Sequence, residues 1–176
     1  ELSPPILHTL GFVAALEWLG EEIERVYDIE VEVSNDTCGA PLGKGLQAML
    51  YRSVRELLIN VAKHAGVKRA SVACVRDKGL LLLAVSDDGC GIASDDLALA
   101  FIRHATSKIN SFDDLAEIMS LGFRGEALGS IAAVADVEML TAVEGAAAGR
   151  ILVQCDGQTS EKPAARARGT TISVSR

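Results

Sequence analysis

Between Leu46 and Ala65 the chain sets Leu50, Val54, Leu57, Leu58 and Val61 at three- and four-residue intervals and then meets Gly66. That is the period of an α-helix with one apolar face and a glycine stop. Such a helix must bury its stripe against a broad apolar surface, and the neighbouring sequence supplies strands to build one. Ile29-Glu30-Val31-Glu32-Val33 alternates strictly, and Arg69–Val75 and Leu80–Val85 are strand-forming runs joined at Asp77-Lys78-Gly79. Val137–Val143, Arg150–Cys155 and Thr170–Ser175 follow as three more strands. Further helices are predicted over Leu10–Tyr27, with Leu10, Val13, Ala14, Leu16, Leu19 and Ile23 near one face, over Asp95–His104, and over Glu126–Ala135. Ser34–Gly45 and Gly157–Arg168 read as loops, and Ala105–Gly125 as a mobile, glycine-punctuated segment. Helices grouped with antiparallel-type strands predict the α/β class, as a two-layer α/β sandwich.

The chain has 176 residues, which suits one domain able to bury its own core. The net charge of −7 argues against unaided binding to a nucleic-acid backbone, which clustered Lys and Arg drive. No apolar run approaches the roughly 20 residues of a membrane span. Cys38, Cys74, Cys90 and Cys155 form no C-x-x-C pair, so reduced thiols in a cytoplasmic protein are expected. The opening Glu1-Leu2-Ser3-Pro4-Pro5 lacks the basic start of a signal peptide, and residues 1–9 read as a linker from an upstream domain.

Four local patterns carry chemistry. Glu56 and Asn60 stand four residues apart on the Leu46–Ala65 helix, stacked on one face, with Lys63 and His64 a turn on. By themselves they read better as a solvated helix rim. Leu80–Val85 runs directly into Asp87, Gly89 and Gly91, where glycines permit positive-φ turns and close approach of a ligand. Gly122-Phe123-Arg124-Gly125-Glu126-Ala127-Leu128 enters a helix whose first amides suit phosphate. Gly169-Thr170-Thr171 opens the last strand with two hydroxyls that could sit beside Asp87. Two motifs fail. Gly39–Gly45 has the wrong glycine spacing for a Walker loop, and the acids around Asp87 and Asp95 lack EF-hand spacing.

Taken in this order, the four patterns resemble the GHKL superfamily, the Bergerat-type ATP-binding fold of histidine kinases, gyrase and MutL. Residues 1–92 are similar to a sensor histidine kinase catalytic domain, through Leu2–Leu7, Gly11–Leu16 and Arg55–Ala65. From Asp87 onward the chain is similar to MutL, through Asp87–Ile92, Arg103–Ile109, Leu121–Leu128 and Gly169–Thr171, with a seam at the glycine turn. The resemblance implies a mixed, mostly antiparallel sheet with helices on one face. It implies ATP and Mg2+ as ligands, with Glu56 orienting or deprotonating the attacking group and Asn60 holding the metal. Asp87 would read the adenine amino group with Thr170 beside it, in a turn shaped by Gly89 and Gly91. Lys63 would line the nucleotide site. Residues 105–125 would form a lid carrying Thr106, Ser107 and Lys108. Gly122, Arg124, Gly125, Glu126, Ala127 and Leu128 would cradle phosphate.

Three outputs stay open. The chain's opening favours a histidine kinase catalytic domain, phosphorylating a histidine on an upstream dimerisation domain, with a response regulator as partner and a dimer in the full-length protein. The lid and phosphate loop favour a MutL-like ATPase switch. A hybrid that binds nucleotide without turnover is the third.

Overall fold

The computed structural model describes residues 5–36, 42–77, 80–101, 127–133 and 135–175. Its centre is one seven-stranded sheet: β1 (Glu30–Asp36), β2 (Arg69–Asp77), β3 (Leu80–Asp87), β4 (Asp136–Ala142), β5 (Ala148–Val153), β6 (Thr159–Ala164) and β7 (Gly169–Ser175), in the spatial order β1-β2-β3-β7-β4-β5-β6. β1 and β2 are parallel and every other neighbouring pair is antiparallel. A parallel pair needs a crossover, which α3 (Lys44–Asn60) supplies between β1 and β2. α1 (Pro5–Thr9), α2 (Phe12–Tyr27) and α4 (Ala127–Ala132) complete the helical layer. This is the expected two-layer α/β sandwich, with the helices on one face of a mixed sheet.

The inward face is built in rows. Cys74, Leu83, Val174 and Val137 sit side by side across β2, β3, β7 and β4, and Val72, Val85, Ile172 and Met139 form the next row. Most of these are fully buried beneath Leu16, Leu19, Leu50, Val54, Leu58 and Ile131 of the helices. α2 packs on β1, with Gly20 facing Val31.

The structure departs from the sequence reading at identifiable places. The first helix breaks at Gly11 (φ 92), so α2 starts at Phe12 and Leu10 is 69% exposed instead of facing the core. Pro5–Thr9, expected as linker, makes a helical turn that buries Leu7. Ser34–Asp36, read as loop, extends β1. The helix predicted over Asp95–His104 is, as far as the described residues go, two 3-10 turns at Ser94–Asp96 and Leu99–Phe101. The loop predicted over Gly157–Arg168 contains β6, an exposed edge strand whose Thr-Ser-Glu-Lys-Pro-Ala has no buried face to impose an alternation. Reduced thiols are not found throughout: Cys74 is disulfide-bonded, while Cys90 and Cys155 are free and Cys38 lies outside the described residues. Among the described residues no helix is long and apolar enough to cross a membrane.

Leu83 sits mid-strand in the central row and is 2% exposed. Leu83→Ala is expected to cost about 2–5 kcal/mol, read as a lower urea midpoint with an unchanged m value.

Candidate functional site

The third inward row breaks the apolar pattern. Ala70, Asp87, Thr170 and Thr141 lie side by side across β2, β3, β7 and β4, one pleat beyond the Val72 row. Asp87 is 9% exposed, Thr170 8% and Thr141 1%. A carboxylate and two hydroxyls thus occupy positions that strand alternation assigns to the core. Buried polar groups are costly unless partnered, and here each has partners. The Gly89 amide donates to Asp87 Oδ1 at 2.7 Å. Thr141 Oγ1 accepts from the Ile92 amide at 2.9 Å, donates to the Gly169 carbonyl oxygen at 3.0 Å and lies 2.9 Å from Thr170 Oγ1. Burial pushes the Asp87 carboxyl above the usual carboxylate range. The Gly89 amide, the Arg166 charge and the Thr170 backbone partly oppose that rise, and Asp88 adds to it.

The turn after β3 is held from two sides. α3 gives way at Asn60 to a π-helical turn over Val61–Ala65, which Gly66 ends in the left-handed region. The widened turn presents its carbonyls to the glycine segment: Cys90 N donates to Ala65 O at 3.0 Å, and Cys90 Sγ contacts His64 O at 3.2 Å. From the other side Arg166, in the short β6–β7 connection, donates through Nη2 to the Asp87 carbonyl oxygen at 2.9 Å and to Thr171 Oγ1 at 3.0 Å. Gly91 (φ 73) is pressed against the Ala142 carbonyl, where a Cβ would collide. π-turns inside α-helices recur at functional sites, and this one joins the end of α3 to the turn after β3 through Ala65 and Cys90.

The structure places the expected residues as follows. Asp87, Gly89 and Gly91 form one turn with Thr170 in register opposite Asp87, as anticipated for that hydroxyl. Glu56 is largely covered and lies 3.4 Å from Arg55 Nη1. Asn60 and Lys63 are exposed at the end of α3 and in the π-turn that follows. Ala127 opens α4, and Leu128 is buried in the core, so only its backbone could face a ligand. Thr106, Ser107, Lys108, Gly122, Arg124, Gly125 and Glu126, with the expected lid, lie outside the described residues. Two residues were missed. Thr141 was legible as a hydroxyl at an inward position of Val137-Glu138-Met139-Leu140-Thr141. Arg166 carried no signal, since its connection has no periodicity.

A family model described as "Histidine kinase-, DNA gyrase B-, and HSP90-like ATPase" matches residues 45–175. The chain belongs to this family. It is an ATP-binding domain of the GHKL type, and the match extends from α3 to β7. DNA mismatch repair protein MutL of Lactobacillus acidophilus is 46% identical over 121 residues, covering 69% of this chain and 19% of that protein. MutL of Azotobacter vinelandii is 46% identical over 125 residues, again 69% and 19%. The chain therefore spans about a fifth of the length of these relatives. Among solved structures, the mycobacterial sensor histidine kinase MprB matches with a TM-score of 0.54 at 23% identity, over 92% of this chain and 90% of that one, a likeness of fold.

A 121-residue match is longer than the stretch from Asp87 to Arg176, so the similarity to MutL reaches back into α3. The seam expected at the glycine turn therefore does not bound the MutL-like part.

Two outcomes test this site. Gly91→Ala is expected to destabilise by more than Gly145→Ala: both have positive φ, about 1–2 kcal/mol of backbone strain for a non-glycine residue, but nothing lies within 4 Å of a Cβ at Gly145. Denaturant unfolding of the pair reads the difference. The second concerns pH. Because the folded carboxyl of Asp87 titrates above its unfolded value, the native chain binds that proton more readily. The stability this contributes is present at low pH and is lost as pH rises through the folded pKa. Wild-type stability relative to Asp87→Asn is expected to fall from about pH 4 upward and then level off; a difference independent of pH contradicts it.

Proposed function

We propose that the chain is an ATPase switch domain of the MutL kind. The observation that carries this is the 46% identity over 121 residues, which takes in part of α3 as well as the glycine turn. The histidine kinase reading rests on the opening segment and on a likeness of fold at 23% identity, and a kinase-type phosphoacceptor or response regulator has no comparable support.

In this reading Asp87 accepts a hydrogen bond from the adenine 6-amino group with Thr170 beside it, and the Gly89–Gly91 turn lets the base approach the backbone. The partnered row of polar groups at the rim of the core is what such a base requires. Glu56, on the covered side of α3, acts on the attacking water. The exposed amide of Asn60 holds Mg2+, an ion that keeps most of its waters and takes few protein ligands. An exposed amide is one such ligand, and phosphate oxygens and water would complete the set. Bound Mg2+ would neutralise charge on the phosphates. Thr106, Ser107 and Lys108 in the lid, with the backbone from Gly122 to Leu128, cover the phosphates. Lid ordering on ATP would be the signal passed to a partner.

The test is incubation with γ-labelled ATP, with and without a histidine-bearing helical domain of the kinase type. Phosphate release that Glu56→Ala abolishes while ADP still binds is the expected result; label on the helical domain instead supports the kinase. Asp87→Asn is expected to weaken ADP binding about tenfold or more, since a hydrogen bond to a charged group contributes roughly 1.5–3 kcal/mol. Unchanged affinity by titration calorimetry rejects the adenine assignment. Asn60→Ala should abolish the magnesium dependence of turnover.

A further inference from the structure

We propose that Thr141 is a positioning residue that fixes the direction of the Thr170 hydroxyl, and so makes this end of the sheet select a purine amine over a purine carbonyl. The inference deepens the adenine reading above and rests on it.

Thr141 is 1% exposed, so its hydroxyl is satisfied by protein groups and not by bulk water. It has three neighbours at hydrogen-bond distance: the Ile92 amide at 2.9 Å, the Gly169 carbonyl oxygen at 3.0 Å and Thr170 Oγ1 at 2.9 Å. A threonine hydroxyl has one proton and two acceptor lone pairs. The amide can only donate and the carbonyl can only accept. All three contacts are hydrogen bonds in one arrangement alone: Ile92 N–H fills one lone pair, the Thr141 proton goes to Gly169, and Thr170 donates to the second lone pair.

Thr170 has then spent its only proton. What it has left for a ligand is lone pairs. Its neighbour in the same row, across the β3–β7 pair, is the Asp87 carboxylate, which also accepts. Two adjacent acceptors are complementary to an –NH2 group and oppose the lone pairs of a carbonyl at the same position. A site built on such hydrogen bonds rejects an analogue that leaves them unpaired. Remove the Thr141 hydroxyl and Thr170 is free to turn its proton outward, towards a carbonyl oxygen. The register places Thr141 directly opposite Thr170.

The experiment is titration calorimetry of the whole chain with ADP and with IDP, whose base carries a 6-carbonyl in place of the 6-amine. Wild type is expected to prefer ADP. Thr141→Val, which keeps the shape and removes the hydroxyl, is expected to lower the ADP-to-IDP affinity ratio about tenfold. Thr141→Ser restores it. Thr170→Val provides a second arm that does not depend on the folding of the Thr141 variant: if Thr170 presents lone pairs, ADP loses more affinity than IDP and the ratio falls there too. A wild-type ratio in Thr141→Val or Thr170→Val, or an equal loss for both nucleotides, overturns the orienting role and leaves the adenine reading standing. A wild-type chain that binds ADP and IDP alike overturns both.

Discussion

Everything at the functional end of this molecule depends on keeping the Asp87 carboxylate at the rim of an apolar core. Its position on β3 is a core position by alternation, following Leu81, Leu83 and Val85 on the same face. Left alone there it would protonate or draw water into the sheet. The Gly89 amide, the Thr170 backbone and the Arg166 charge offset part of the burial cost, and the residual upward push on its pKa is what remains. Gly169 serves the same end, because a Cβ there would collide with the Asp87 carbonyl and crowd the Arg166 guanidinium. These contacts fix the carboxylate in one place, and a fixed acceptor is more selective than a solvated one.

The row forms because of strand order. β7, last in the chain, inserts between β3 and β4, so that Thr170 has Asp87 on one side and Thr141 on the other. The helix with the second pair of polar residues arrives through the β1–β2 crossover and ends in a π-turn whose Ala65 carbonyl receives the Cys90 amide. Fold and function part here. One fold hosts several functions, so the layers by themselves do not choose between a kinase and a mismatch-repair ATPase.

Much of this was legible in advance. The helix at Leu50–Val61 and the alternation of β1 follow from periodicity, because each turns one face to the core, and the hydroxyls of Gly169-Thr170-Thr171 were legible as a motif opening the last strand. The failures share the opposite cause. β6 has no buried face, so Thr159–Ala164 shows no pattern. Leu10 matched the helical period but lies before the break at Gly11. The division into a kinase-like and a MutL-like half came from separate motif sets on either side of the glycine turn, where the two families read alike; the similarity to MutL reaches back across that turn into α3.

The sequence by itself determined the layers, the helix that bears Glu56 and Asn60, and the identity of the acid at the glycine turn, because local period and residue chemistry act over a few positions. Only the tertiary structure decided that Thr141 stands beside Thr170, that Arg166 reaches the Asp87 carbonyl and that α3 loosens into a π-turn against Cys90. Those contacts join residues distant along the chain, and their existence depends on which strands become neighbours when β7 takes its slot.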